Sequence, residues 1–211
     1  MDEKQRILTV PRRISLILTL LVLIITLAGC ATTKAPVTTK PLTAEETKQR
    51  ETLLANLQNW QLSGKVAAIS AQDSGSASID WTQRGPRYHI SLMGPLGSHA
   101  VKLQGQPGLV TMDTADGKHA SAPNAETLLA QQMGWRLPVS NLNYWIRGLP
   151  VPTLPQNSAY DASHRLTRLV QDGWNIQYIN YQNVGSIDLP ERININSNSL
   201  KVKIIVYKWT I

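Results

Sequence analysis

Hydrophobic and polar residues alternate with a period of two along most of the chain beyond residue 61, which is typical of strands with one buried face. Turn-forming segments such as Arg84-Gly85-Pro86 separate the runs and leave no room for crossover helices, so neighbouring strands are antiparallel and a parallel sheet is excluded. The pattern predicts strands at roughly 62–69, 77–82, 87–93, 99–104, 109–113, 118–121, 164–170, 174–181, 191–196 and 200–209.

A helical pattern replaces this alternation in three places. Thr43 and Glu46 have the spacing of a capping box, and the segment they open carries an apolar stripe of Leu53, Leu54, Leu57 and Trp60. A first helix is therefore predicted over 44–58. Two more are predicted mid-chain: 125–133 between Asn124 and Gly134, and 141–147 between Ser140 and Gly148.

These elements predict a mainly β fold, an unclosed antiparallel β-barrel, or half-barrel, of about ten or eleven strands with one N-terminal helix. An open twisted sheet of that width would leave one face and two edges bare, so it must nearly close. Such a shell is too wide for its own side chains to fill. The two central helices are expected to form a lid over an apolar cavity.

The first 29 residues read as a cleaved lipoprotein signal peptide. Lys4, Arg6, Arg12 and Arg13 precede an uncharged stretch at 14–27, which is shorter than the 20 or so apolar residues of a spanning helix. Leu-Ala-Gly-Cys30 then matches the bacterial lipobox, which implies acylation of Cys30. Residues 30–43 are predicted to be the lipid anchor and a flexible Pro/Thr-rich tether, and 44–211 a single half-barrel domain.

Composition removes several function classes. The 211 residues carry a net charge of +7, but the predicted mature chain holds 17 basic and 12 acidic residues, and its Lys and Arg are spread singly. Nucleic-acid binding is not expected of this distribution in an exported protein. Cys30 is the only cysteine, so no disulfide and no cysteine metal site is predicted.

Catalytic and metal-binding patterns are missing from the sequence as well. His89, His99, His119 and His164 lie on different segments without the spacing of a metal site. The chain has no Gly-x-Ser-x-Gly elbow and no phosphate-binding Gly-x-x-x-x-Gly-Lys loop. We therefore expect no enzymatic activity, metal or cofactor.

The chain resembles the LolB family of outer-membrane lipoprotein receptors over nearly all of its predicted mature length. The matching segments, in order, are the lipobox at Cys30, Ser63-Gly64-Lys65-Val66-Ala67, Trp81-Thr82-Gln83 with Arg87-Tyr88, Gly94-Pro95-Leu96-Gly97-Ser98, Trp145-Ile146-Arg147-Gly148-Leu149-Pro150 and Leu200-Lys201-Val202-Lys203. The resemblance implies that the protein accepts triacylated lipoproteins from the periplasmic carrier LolA and releases them into the outer membrane without ATP. It also implies that the anchored protein faces the periplasm and that Leu96, between Pro95 and Gly97, is the residue of membrane delivery. Ala31, directly after the lipobox cysteine, resembles the sorting residue of Gram-negative lipoproteins that are sent to the outer membrane.

The inward positions of the predicted strands and lid helices supply the expected acyl-binding cavity: Val66, Trp81, Tyr88, Ile90, Leu92, Leu103, Trp145, Ile146, Leu149, Trp174, Ile176, Tyr178, Ile204 and Val206. Alternation indicates which face is buried and leaves open a filled core at any one of them. Arg147, Arg165 and Arg168 are candidates for docking an acidic rim of the carrier.

The residues leave two rival roles open, an anchored carrier of free lipid or another apolar ligand and a structural envelope lipoprotein. The sequence carries no pattern that resembles a coiled-coil seam, so a monomer is expected.

Overall fold

The computed structural model describes residues 43–71, 73–98 and 100–211, without the side chains of Thr47 and Leu96. The predicted signal peptide, the Cys30 anchor and almost all of the tether lie outside the described residues. Every core residue reported below lies between Leu54 and Trp209.

Eleven strands form one antiparallel sheet. They are β1 (Asn59–Ser70), β2 (Ser74–Arg84), β3 (Arg87–Met93), β4 (Val101–Gln106), β5 (Leu109–Thr114), β6 (His119–Ala122), β7 (Gln156–Tyr160), β8 (Leu166–Gln171), β9 (Trp174–Val184), β10 (Ile187–Asn196) and β11 (Leu200–Thr210). Their spatial order is β6-β5-β4-β3-β2-β1-β11-β10-β9-β8-β7. Two meanders therefore meet at the β1–β11 pair, and β6 and β7 remain the unpaired edges of a sheet that does not close. The predicted fold class is confirmed.

Strand β7 is the one strand that the hydrophobic pattern missed. It is short, it follows the proline-rich segment 149–155, and four of its five side chains are exposed. An edge strand that pairs only with β8 and buries neither face has no reason to alternate, so its sequence carries no strand signal.

Alternation predicts the buried face of the central strands correctly. In β1, Trp60, Leu62, Gly64 and Ala68 are buried while the residues between them are mostly exposed. In β11, Leu200, Val202, Ile204 and Val206 follow the same rule. The inward side chains of both meanders form a single apolar core.

Gly64 lets β1 and β11 approach closely at a bulge between Ser63 and Gly64. A Cβ atom there would overlap the backbone carbonyl oxygen of Ile205, which has no flexible end that can move away. We expect Gly64→Ala to lower the free energy of unfolding by about 3 kcal/mol, because the central strand pair must separate. Gly75→Ala is the matched control, since its Cβ would meet nothing within 4 Å. Equal midpoints for the two variants in urea unfolding would contradict this account of the bulge.

Helix α1 (Ala44–Asn56) begins at the predicted capping box, in which Thr43 and Glu46 exchange hydrogen bonds. Leu54 is fully buried and α1 packs on β10. Two members of the predicted stripe behave differently, because Leu53 is 42% exposed and Trp60 belongs to β1.

The two central helices are α2 (Ala125–Met133) and α3 (Val139–Trp145). Asn124 caps α2 by accepting a hydrogen bond from the Thr127 backbone N–H at 2.8 Å, as predicted. The prediction that Ser140 caps α3 is wrong, since α3 begins at Val139, two residues before the predicted start at 141, and Pro138 is the N-cap residue. The Ser140 backbone N–H instead donates to the Glu126 carboxylate at 2.8 Å, which ties α3 to α2.

The hairpin connections divide between two ends of the sheet. One end, called here the loop end, carries the β1–β2, β5–β6 and β10–β11 turns and the β3–β4 connection with a 3₁₀ turn at Pro95–Gly97. The opposite end, the far end, carries the β2–β3, β4–β5 and β9–β10 turns. Helix α2 starts after β6 at the far end and finishes beside the β1–β2 turn at the loop end.

Candidate functional site

All fourteen residues predicted for the acyl-binding cavity lie in or against the same apolar cluster. They differ in accessibility. Val66, Tyr88, Leu92 and Leu149 remain partly exposed. The other ten are buried: Trp81, Ile90, Leu103, Trp145, Ile146, Trp174, Ile176, Tyr178, Ile204 and Val206. Their contact with acyl chains stays a prediction, and the burial pattern indicates where space for a ligand exists.

The C-terminal meander, β7–β11, is filled by protein. Leu169, Ile176, Leu189, Ile193 and Ile195 have no exposed surface. The Trp145 ring lies 6.2 Å from the Trp174 ring, and the Tyr178 hydroxyl donates to the Trp145 carbonyl at 2.9 Å. Residues of α3 therefore occupy this half of the shell.

The N-terminal meander, β1–β6, is less completely filled toward the loop end. Val66, Leu92 and Val101 occupy inward positions but remain partly exposed. Leu92 and Val101 are register partners on adjacent strands, so their side chains form a continuous apolar strip. This strip is inward-facing surface that the core leaves accessible.

A cavity of about 430 Å³ opens at the same end of the molecule. The β1–β2 turn contributes Ser70 and Asp73, and the end of α2 contributes Gln132, Met133, Gly134 and Trp135. The volume lies within the range of roughly 300–1,000 Å³ typical of ligand pockets. Met133 and Trp135 also pack against the core, so the cavity borders the apolar interior.

Packed aromatic rings close the far end. The Trp60 ring lies 5.2 Å from Trp81 and 5.3 Å from Trp209. The indole N–H of Trp81 donates to Gln83 at 3.0 Å, and Gln83 donates in turn to the Gly85 carbonyl at 2.7 Å. Sequence reasoning missed this aromatic cluster because it placed Trp60 on the apolar stripe of a helix. The signal that could have found it is alternation, since Trp60 and Leu62 are two residues apart and lie on the same buried face of β1.

Tyr88 lies beside the aromatic rings of the far end, with its ring 6.5 Å from that of Trp81. Its ring occupies the space over Gly105, its register partner, where a Cβ atom would overlap the ring. Burial raises the pKa of Tyr88 to about 12, and the negative charge of Glu126 on α2 adds to the rise. The phenol therefore stays neutral at physiological pH and suits an apolar lining.

Gln171 fastens the β6–β7 connection to the C-terminal meander. Its side-chain oxygen accepts hydrogen bonds from the Trp145 indole N–H at 3.0 Å and the Val151 backbone N–H at 2.9 Å. Its amide nitrogen donates to the carbonyls of Val151 and Leu154. The sequence signal for this residue was a polar side chain at an inward position, two residues after Leu169.

Of the three arginines considered for docking the carrier, Arg147 is wrong because it is buried, whereas the docking role of Arg165 and Arg168 stays a prediction. Arg147 is only 5% exposed and donates to the Leu54 and Leu57 carbonyls at the end of α1, and burial lowers its pKa. Arg165 is paired with Asp161 and Asp188. Arg168 alone is an exposed cation without an ion pair among the described residues.

The β3–β4 connection is a tight, internally bonded turn. The Gly94 backbone N–H donates to the Ser98 carbonyl at 2.8 Å, and the Ser98 hydroxyl donates to the Pro95 carbonyl at 2.7 Å. Gly97 has φ +79°, and Pro95 and Gly97 are exposed. The turn therefore holds position 96 at the loop end, and the role of Leu96 stays a prediction because its side chain lies outside the described part.

None of the helices in the described ranges combines the length and the hydropathy of a membrane-spanning segment. No group of three or more His, Cys, Asp or Glu residues in that part of the chain is placed to hold a metal ion.

Comparison with known proteins gives one consistent family. Residues 58–209 match the sequence profile of the family described as "Outer membrane lipoprotein LolB". The "Outer-membrane lipoprotein LolB" of Pseudomonas syringae pv. syringae strain B728a is 40% identical over 191 residues, covering 89% of this chain and 92% of that protein. The protein of the same name from Pseudomonas paraeruginosa strain PA7 is 41% identical over 166 residues, covering 79% and 81%.

Solved structures support the fold. A LolA superfamily protein from Nitrosomonas europaea superposes with a TM-score of 0.52 at 8% identity, covering 81% of this chain and 94% of its own. A putative outer membrane lipoprotein-sorting protein domain from Vibrio parahaemolyticus gives 0.51 at 7% identity, covering 79% and 90%. With the sequence match over most of the described domain, the chain belongs to the LolB family of outer-membrane lipoproteins.

Proposed function

We propose that this protein is an outer-membrane-anchored receptor that accepts lipoproteins from a LolA-type periplasmic carrier and deposits them in the inner leaflet of the outer membrane. Cys30 carries the lipid anchor, and the half-barrel faces the periplasm. The activity is binding and release, with no bond made or broken. Family membership and the accessible apolar strip at the loop end support this proposal.

The accessible strip is the observation that carries the binding step. A packed core excludes ligand, whereas Leu92 and Val101 of the strip, and Val66 on β1, face inward and remain partly exposed while they pack against the core. The acyl chains of the cargo bind along this strip and against Met133 and Trp135 at the end of α2. The filled C-terminal meander supplies a rigid wall.

The cost of exposing acyl chains explains why a receptor is needed. At about 0.8 kcal/mol for each buried methylene, a 16-carbon chain released into water costs roughly 12 kcal/mol, and three chains cost roughly 36 kcal/mol. Unassisted passage through the periplasm is negligible at that cost. Transfer therefore runs from carrier to receptor to bilayer, down a gradient of affinity and without ATP.

Site-specific photocrosslinking tests where the cargo binds, because neighbouring residues of a strand face opposite sides. We expect a photoreactive amino acid at Val66 or Leu92 to crosslink to the acyl chains of bound lipoprotein. The same probe at Lys65 or Ser91, which face outward, is the matched control and is expected to give no crosslink. Equal crosslinking from both faces, or none from Val66 and Leu92 in cargo-bound protein, would contradict the proposed site.

A carrier of free lipid would use the same apolar strip, but it would not receive its ligand from a carrier protein. A structural envelope lipoprotein needs no accessible apolar strip. The strip therefore favours a ligand-binding role over a purely structural one.

A further inference from the structure

The outward face of the central strands carries cations in rows without carboxylates. One row of register partners runs Arg168, Gln177, Asn194, Lys203, Ala67 and Ser76. The next, nearer the loop end, runs Asn175, Asn196, Lys201, Ile69 and Ser74. The row on the other side contains Lys65 between Ile205 and Ser78. No Asp or Glu is a register partner in these three rows.

We call the set Lys65, Arg168, Lys201 and Lys203 the basic face. All four side chains are exposed, and among the described residues none of them makes an ion pair or a side-chain hydrogen bond. Lys118, by contrast, pairs with Asp116 at 2.8 Å. Asp73, in the turn beyond these rows, accepts a hydrogen bond from the Ser74 backbone N–H. Asp80 lies on β2 two residues from Ser78, the register partner of Lys65. With Asp73, two exposed carboxylates border the four cations, so the basic face keeps a net positive charge.

The spacing of the lysines makes their fields overlap. Residues on one side of a strand are about 7 Å apart and neighbouring strands about 4.8 Å apart, so Lys203 lies about 7 Å from Lys201 and about 8 Å from Lys65 at the Cα atoms. These separations are within the Debye length of about 8 Å at physiological salt. An anion beside Lys203 thus interacts with all three lysines.

Two exposed apolar side chains lie in the rows of the basic face. Ile69 is 56% exposed and is the register partner of Lys201. Met93, just before the Pro95–Gly97 turn, is 48% exposed and is the register partner of Ser78. Lysines beside exposed aliphatic side chains are the combination that binds at the headgroup level of a bilayer.

We propose that the basic face is a docking surface for anionic phospholipid headgroups. It orients the half-barrel on the membrane so that the loop end, with its cavity and 3₁₀ turn, meets the bilayer. Ile69 and Met93 favour a lipid surface over an acidic protein, because they give the apolar contact that a bilayer supplies beneath its charged headgroups. This binding requires no cargo, so it stands apart from the proposed receptor activity.

Vesicle sedimentation tests this proposal. Because every described helix and strand lies after residue 42, a chain starting at Ala31 keeps the whole described domain and lacks the acylated Cys30. We expect it to bind vesicles of phosphatidylcholine mixed with phosphatidylglycerol, and to bind phosphatidylcholine alone much more weakly. A lysine near an anionic surface contributes about fivefold, so Lys65→Gln, Lys201→Gln and Lys203→Gln together should weaken binding about 100-fold.

A second triple variant removes the same charge from the far end. Arg84→Gln, Arg87→Gln and Lys208→Gln change exposed residues outside the basic face, and this control should keep most of the binding. Matching circular dichroism spectra would show that both triples fold. Equal loss in the two triples, or no loss in the first, would overturn the proposal. Loss of cargo transfer by the first triple with unchanged vesicle binding would also overturn it, and would assign the face to an acidic protein.

Discussion

Replacing Leu96 by glutamate is expected to abolish deposition of lipoprotein in liposomes while leaving its acceptance from the carrier intact. The internally bonded turn holds position 96 at the loop end, and Gly97 adopts a left-handed φ there. Burying a leucine in an apolar phase is worth roughly 1.5–3 kcal/mol. A carboxylate forfeits that gain and adds a desolvation cost, so deposition should slow by about 100-fold or more.

Leu109→Glu is the matched control for that variant. Leu109 is 43% exposed and begins β5 at the far end, so the same change of charge falls on an exposed leucine away from the loop. Deposition is followed as labelled lipoprotein that floats with liposomes. Normal deposition by the Leu96→Glu protein would remove this turn from the delivery mechanism.

Replacing Gln171 by leucine should produce the largest loss of stability. The change removes four hydrogen bonds of 2.9–3.1 Å and leaves the Trp145 indole N–H and three backbone groups of Val151 and Leu154 without that partner. Each buried polar group left unpaired costs about 1–3 kcal/mol, and some recover water, so we expect about 4 kcal/mol less free energy of unfolding.

Gln177→Leu is the control for Gln171→Leu, because Gln177 is exposed on the outward face of β9. Its unfolding midpoint in urea should stay close to that of the parent. If Gln171→Leu unfolds at the parent midpoint too, then Gln171 does not hold the β6–β7 connection.

Periodicity predicted ten of the eleven strands because each of those buries one face. Ile90 and Leu92 in β3 alternate with His89 and Ser91, and the structure pairs β3 with both neighbours in that register. Strand β7 escaped because an edge strand with two exposed faces has no pattern to detect. Strand β8 was predicted although its buried Leu166 and Leu169 lie three residues apart, where its register with β7 shifts.

The sequence could not predict that the C-terminal meander is more completely filled than the N-terminal one. Ile176 and Leu92 are both inward aliphatic residues on regular strands, yet Ile176 has no exposed surface and Leu92 remains accessible. What separates them is a tertiary contact, since Trp145 of α3 packs against Trp174 and Tyr178 of β9, whereas the strip on β3 and β4 stays partly exposed. Alternation identifies a buried face, and only packing decides how much of that face is filled.

The same reasoning explains the arginines. A charged residue just after α3 is expected to be exposed, but the guanidinium of Arg147 is buried and donates hydrogen bonds to the last carbonyls of α1. Such a role depends on where α1 ends in space, which no local pattern near Arg147 records.

The most direct test of the receptor role is transfer itself. The chain starting at Ala31 is mixed, without ATP, with a purified LolA-type carrier loaded with a tagged lipoprotein, and each protein is then pulled down separately. We predict that the tagged lipoprotein moves from the carrier to this protein. Cargo that stays on the carrier, while this protein still binds free lipid, would contradict the receptor role and make the protein an anchored carrier of another apolar ligand.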